Sequence, residues 1–464
     1  MQYSTFAAID IGSYDVILEI FEISKKQGIR SVDKICHRME LGKDTYTLGK
    51  IRPEMEEELC RVLADFVRIM EGYRVDDYRA TASSAISEAS NSLYVLGKIH
   101  QLTGLSVTVL SNSEQRFLSY KALAAMEDNF NKIIEKGTAI LDLDGGSFQI
   151  SLFDKDALVT TQNIRMGSLR IRERLAGIQS ETEHYEEMVE ELIWNEVSSF
   201  KKMYLKDRKI ENIMLIGDVF TDSVYQNIEE KTTKIISREN FNTWYEKIIR
   251  QSPMELAVKL GIPLENASLM YPSAVIYKCL IDMMGAEHIW IPGVHMTRGI
   301  AYEYAEQMKL LKGGHNFEND ILMAAKNIGK RYAVNRPHVQ NLEMTALAMF
   351  DATKKMHGMK ERERLLLQMA VMLHDVGKYI SFNNVADSSY NIIMSNEIIG
   401  LSHIEREMVA LIARYNTVTL PSYDELVMES SLSAEQYLTV SELTAIVRCL
   451  LYTSPSPRDK RQSR

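Results

Sequence analysis

Three kinds of residue in this chain could do phosphate chemistry. The first are two carboxylates that each end an apolar run and meet a Gly-Ser turn. Asp10 leads into Gly12-Ser13, and Asp142 leads through Asp144 into Gly145-Gly146-Ser147. Glycine in such a turn accommodates positive φ and lets backbone N–H groups face an anion. The second is Glu114, just after the apolar run Val107 to Leu110. By itself it also suits a first-turn helix residue favoured by the helix dipole. The third is the basic stretch NIRMGSLRIRERL, where Arg165, Arg170, Arg172 and Arg174 flank Gly167. Arginine suits phosphate because its planar fork bonds two oxygens at once. For Arg172 and Arg174 the expectation is a solvated helix face.

The elements around these residues form a duplication. FAAIDIGSYDVILEIFEI (6–23) and TAILDLDGGSFQISLFDK (138–155) share one plan: strand, Asp, Gly-Ser turn, strand. Val16, Leu18 and Ile20 alternate along the second strand of the first copy. Two copies at domain-sized separation predict two homologous α/β lobes, each offering one loop to a shared cleft. Between the copies Pro53 opens a helix, with Met55, Leu59, Val62, Leu63, Phe66, Val67 and Met70 at helical spacing.

The 464 residues suffice for several cores, and the composition is that of a globular protein. A net charge of -9 argues against nucleic-acid polymers and membrane surfaces as partners. The four cysteines show no metal-like spacing and fit a reducing cytoplasm. No leader and no membrane span are expected.

In order, the motifs resemble those of the exopolyphosphatase/guanosine pentaphosphate phosphatase (Ppx/GppA) family of the actin-like superfamily. They are Asp10–Asp15, Ala82–Asn91, Leu110–Gln115, Asp142–Gln149 and Met166–Arg170. The resemblance implies two actin-like (ribonuclease H-like, ASKHA) lobes, at 1–125 and 126–308. It implies Glu114 as the base that positions a water. It places Mg²⁺ (or Mn²⁺) on Asp142 and Asp10, with Asp142 also able to assist the water. Gly12, Ser13, Gly145, Gly146, Ser147 and Arg170 would bind phosphate. The substrate would be inorganic polyphosphate or guanosine pentaphosphate, and family analogy also suggests a homodimer. Several family residues are replaced: Arg by Ser87, Thr-Glu by Phe148-Gln149, a loop Gly by Asp144, and Asn-Ser by Tyr14-Asp15. These replacements keep a second reading open, a weakened polyphosphate- or nucleotide-binding regulatory protein.

After the linker 309–320 the chain reads as helical. LLLQMAVMLHDVGKY (365–379) is an apolar helix ending at His374-Asp375, with Gly377 as a stop. With His338 upstream this resembles the HD superfamily, and implies an all-α HD-type domain over 315–448. Such a site takes a divalent cation on His338, His374 and Asp375, and would allow nucleotide phosphohydrolase chemistry. The stretch 383–390 lacks the histidines of relatives, which argues against a complete metal set. Ser402 and Glu405 predict a capping box. Residues 449–459, CLLYTSPSPRD, resemble a translated transposon sequencing adapter. The expectation is that 449–464 form a disordered, non-native tail.

Overall fold

The computed structural model describes residues 4–126, 130–155, 157–176, 185–227, 234–311 and 315–453. The chain divides into two compact units, Met1–Asn316 and Phe317–Arg464.

The first unit is built on two sheets. The first contains β1 (Ser4–Ile11), β2 (Asp15–Ser24), β3 (Gly28–Arg38), β4 (Asp77–Ala82) and β5 (Val107–Val109), ordered β3-β2-β1-β4-β5. β1, β2 and β3 form an antiparallel meander, and β4 and β5 add in parallel. The second contains β6 (Thr138–Leu143), β7 (Phe148–Asp154), β8 (Ala157–Ile164), β9 (Asn212–Ile216), β10 (Ile235–Ser237) and β11 (His288–Trp290). Its order is β10-β11-β9-β6-β7-β8. A meander (β6, β7, β8) is again followed by two parallel additions (β9, β11), with β10 antiparallel at the edge. The duplication in sequence is therefore a duplication of topology. Asp10 and Asp142 lie at equivalent ends of β1 and β6.

β2 is covered on both faces, so it is more apolar than strict alternation predicts. Val16, Leu18 and Ile20 pack with Leu59, Leu63 and Phe66 of the helix Pro53–Tyr73. Phe21 and Ile23 join Phe6, Ile300 and Tyr304 on the other face. This corrects one boundary: the helix Met296–Gln307, expected in the second lobe, packs on the first sheet, with Tyr304 stacked on Phe6 at 4.1 Å. The second core is centred on Phe148, Phe220, Phe241 and Tyr277, under the helix Leu264–Met284.

The second unit is helical throughout its described residues. Its longer helices are Phe317–Arg331, Arg336–His357, Glu361–Leu373, Val385–Ser395, His403–Arg414 and Ala434–Thr453. The Ser402–Glu405 capping box is present. Gly377 does not act as a left-handed stop. A Cβ there would lie 2.3 Å from the Val385 carbonyl oxygen, so glycine lets the turn after His374 approach the next helix. The last helix continues past Arg448 to Thr453, and residues 454–464 lie outside the described residues.

Candidate functional site

The turns after β1 and β6 face each other across the first unit. Gly12 N–H donates to the Asp15 carbonyl at 2.9 Å, and Gly42 N–H donates to the Ser13 carbonyl at 2.7 Å. In the second turn Asp144 N–H donates to the Ser147 carbonyl at 2.9 Å, and Arg170 N–H to the Gly145 carbonyl at 2.9 Å. None of Gly12, Gly145 or Gly146 has positive φ, contrary to expectation. What glycine supplies here is close approach. A Cβ on Gly146 would lie 2.2 Å from the Tyr46 hydroxyl, and one on Gly167 would lie 2.2 Å from the Asp144 carbonyl oxygen. The Tyr46 hydroxyl bonds Ser13 Oγ at 2.7 Å and Ser84 Oγ at 2.9 Å, tying the first turn to the segment after β4.

Beside these turns is a cavity of about 290 Å³. Of the residues expected from sequence, Asp10, Gly12, Ser13, Asp142 and Gly145 line it; Glu114, Gly146, Ser147 and Arg170 do not. The cavity carries six aspartates: Asp10, Asp15, Asp142, Asp144, Asp218 and Asp222. Three cations face them: Lys34, Arg38 and Arg116.

Glu114 is the principal correction. Its Oε2 accepts from Ser111 N at 2.9 Å and from Ser111 Oγ at 2.6 Å, while its own N–H donates to Ser111 Oγ at 3.3 Å. That is a capping box on the helix Asn112–Met126. It satisfies backbone donors that a helix start leaves unpaired. The next two residues face the cavity instead. Gln115 Nε2 donates to Asp144 Oδ2 at 3.2 Å. Arg116 Nη1 donates to Asp142 Oδ1 at 2.7 Å and Nη2 to Ser147 Oγ at 3.2 Å, with both ion-pair side chains almost fully buried.

The arginine cluster is likewise committed to structure. Arg170 Nε donates to the Gly146 carbonyl at 2.9 Å, Nη2 donates to Glu88 at 2.9 Å, and the guanidinium lies 3.9 Å from the Tyr46 ring centroid. Arg172, expected in solvent, is mostly buried and grips both Glu40 oxygens at 2.8 Å. Arg165 and Arg174 are exposed.

Burial dominates the electrostatics. It pushes Asp10 well above the usual carboxylate range, reinforced by Asp15 and Asp144. It raises Asp15 to about 6 and Asp218 to about 7. Asp142 is also raised, burial outweighing the nearby Arg116. One oxygen each of Asp10, Asp142 and Asp218 is buried without a hydrogen-bond partner. Such oxygens are costly unless a cation or proton meets them. Among the described residues no group of three or more His, Cys, Asp or Glu is arranged to hold a metal ion. Mg²⁺ does not require one, since it binds through one or two carboxylates and completes its shell with water and phosphate oxygens. The unpartnered oxygens of Asp10 and Asp142 fit that mode.

Several site residues were legible but overlooked. Asp218 follows Gly217 at the end of the apolar run NIMLI (β9), repeating the strand–turn plan, and Gly217 does have positive φ, +101°. Lys34, Cys36 and Arg38 alternate along β3 and share its cavity face. The replaced family positions serve structure: Phe148 is in the core, and Gln149 is buried opposite Asp142 in the β6–β7 register.

In the second unit the His338 and His374 rings lie 5.5 Å apart. His374 Nδ1 meets the Val371 carbonyl at 2.8 Å, and Asp375 Oδ2 is held by Lys378 Nζ at 3.0 Å. The pair His374-Asp375 is buried, and burial lowers the His374 pKa.

Comparison with known proteins follows this division. The model of the Ppx/GppA phosphatase family matches residues 20–308, and that of Ppx/GppA phosphatase, domain III, matches 322–457. A guanosine-5'-triphosphate,3'-diphosphate pyrophosphatase of Vibrio atlanticus is 18% identical over 449 residues, covering 95% of this chain and 86% of that protein. A bifunctional 3-dehydroquinate synthase/phosphatase of Fusobacterium nucleatum is 21% identical over 310 residues. That match covers 61% of this chain but only 44% of the Fusobacterium protein. Among solved structures, an exopolyphosphatase from Cytophaga hutchinsonii superposes with a TM-score of 0.58 at 17% identity, over 66% of this chain and 98% of its own. The Aquifex aeolicus Ppx/GppA family member gives 0.55 at 17% identity, over 66% and 99%. At that identity the structural likeness shows the fold.

Proposed function

The chain belongs to the Ppx/GppA phosphatase family, and on that premise we propose that it hydrolyses the terminal phosphoanhydride of polyphosphate or guanosine pentaphosphate. The observation that carries this is the cavity where two Asp-Gly turns and Gly217-Asp218 converge, with three buried carboxylate oxygens left unpartnered. Phosphoryl transfer asks a protein chiefly for positioning and charge neutralisation. Six aspartates against three cations would repel a phosphate chain by themselves. Mg²⁺ or Mn²⁺ on Asp10 and Asp142 would supply the missing positive charge. Lys34 and Arg38 take terminal phosphate oxygens. Arg116 holds Asp142 in place. Asp218, with its pKa raised to about 7 by burial, takes over the base role that Glu114 cannot perform from its capping position. A base poised near the working pH combines the right protonation state with adequate basicity.

One observation favours binding without hydrolysis: the helix start presents to the cavity the amide of Gln115 and no carboxylate. One experiment separates the readings. Mg²⁺-dependent phosphate release is followed from long-chain polyphosphate and from guanosine pentaphosphate, in the parent and in Asp218→Asn and Asp142→Asn. Hydrolysis predicts release that falls at least ~10²-fold in Asp218→Asn, the usual weight of a general base. Tight binding of either polyanion with no release by the parent would establish the regulatory reading.

A further inference from the structure

We propose that the second unit carries its own small-molecule site, for a nucleoside phosphate, between the helices Phe317–Arg331 and Arg336–His357. A cavity of about 320 Å³ lies there, within the size range of ligand pockets, roughly 300–1,000 Å³. Its wall includes Met323, Val339 and Met372. Its rim carries Lys326, Lys330 and Arg336, and none of these three side chains makes a hydrogen bond or ion pair among the described residues.

Two features of this placement work against the local fold, although Lys330, in the last turn of its helix, suits the macrodipole there. Lys326 and Lys330 stand four apart on one helix, where like charges repel. Arg336 sits in the first turn of its helix, where the macrodipole disfavours positive charge. Three unpaired cations around one cavity, two of them in unfavourable pairing and one at the wrong helix end, are what an anionic ligand would offset.

The walls narrow the class of ligand. Inorganic phosphate would satisfy the rim and leave the Met323, Val339 and Met372 surface wet. A fatty acid would cover that surface but leave Glu343, a half-buried carboxylate that also lines the cavity, facing hydrocarbon. Glu343 Oε1 accepts from Gln368 Nε2 at 2.7 Å, so its other oxygen remains to accept N–H groups of a base edge. Methionine thioethers make favourable contacts with aromatic rings. A heteroaromatic base inside and a phosphate at the rim match every group named.

The test is calorimetric titration of the full-length chain with AMP, GMP, inorganic phosphate and octanoate, without divalent cations. The expected result is binding of a nucleotide, weakened at least tenfold in Lys326→Ala/Lys330→Ala and in Arg336→Ala. All three side chains are exposed, so these variants keep the fold. Phosphate or octanoate binding as tightly as either nucleotide would overturn the proposal. So would the absence of nucleotide binding at millimolar concentration, unchanged affinity in the rim variants, or binding that Asp142→Asn abolishes.

Discussion

Replacing Arg116 with methionine tests how the site is held together. The Arg116–Asp142 pair is short, 2.7 Å, and both side chains are nearly sealed from water. In such a place the pair as a whole stabilises little, because desolvation offsets attraction. Removing one partner alone is costly, about 3–5 kcal/mol, since it strands the other charge. Asp142 already has one oxygen without a partner, and the substitution would remove the cation from the other, leaving Ser119 as its remaining support. Ser147 Oγ would lose its donor as well. For a unit of this size the urea m value is about 3 kcal/mol per molar or more, so the midpoint should fall by roughly 1 M. All three tryptophans, Trp194, Trp244 and Trp290, lie in the second lobe beside Asp142's sheet, so fluorescence reports the right unit. The double variant Arg116→Met/Asp142→Leu should regain most of the loss, because no buried charge is left behind. A midpoint for Arg116→Met within the error of the parent would refute this account, and so would a double variant as unstable as the sum of the singles.

Three further outcomes follow from the same geometry. Gly167→Ala should lower phosphate release ~10²-fold or more with an unchanged circular dichroism spectrum. Its Cβ would meet backbone atoms of Asp144 and Gly145 at 2.2–2.4 Å, and displacing catalytic loops by about an ångström has that effect. Glu114→Gln should keep phosphate release within about twofold, since Gln also completes a capping box, whereas Glu114→Ala should cost ~1 kcal/mol of stability; loss of activity in Glu114→Gln would return that residue to the mechanism. Glu405 has its pKa pushed up by burial but pulled lower still by hydrogen bonds from Arg362 and Ser402, so the net shift is downward. A depressed carboxylate stabilises above its unfolded pKa, and that contribution disappears as pH falls through the folded value. Thermal melts of the helical unit from pH 6 to 3 should therefore show an acid-side loss that Arg362→Met reduces; identical profiles would count against it.

The duplicated strand–turn–strand was readable because an apolar run that stops at Asp-x-Gly allows few alternatives. The capping box at Ser402 was readable because it is local. What escaped was rotation and distance. Glu114 and Gln115 are neighbours, yet one step along a helix turns a side chain by about 100°, which sends one to the cap and the other to the cavity. Arg116 meets Asp142 from a separate element, and spacing along the chain carries no trace of that meeting. The helix Met296–Gln307 looked like part of the second lobe because it follows it in sequence, but its apolar face fits the exposed side of β1 and β2. The loop glycines were assigned to the right loops for the wrong physical reason: they make room for neighbours, at ordinary φ.

The contacts joining the two sheets are mostly polar: Arg170 to Glu88, Arg172 to Glu40, Tyr14 to Asn266, Arg116 to Asp142. Among the described residues, apolar contact across this seam includes a small cluster of Tyr14, Leu169 and Leu269, flanked by Tyr46 and Val219, and the packing of Tyr120 on Phe153. A greasy seam resists parting in proportion to its area, whereas the partly exposed Arg170–Glu88 pair is worth only about 0–1 kcal/mol and trades partners readily. The seam is therefore salt-sensitive at its Arg170–Glu88 edge and pinned at the buried Arg116–Asp142 pair. Raising ionic strength should loosen that edge alone, so the two lobes would flex about the buried pair rather than part.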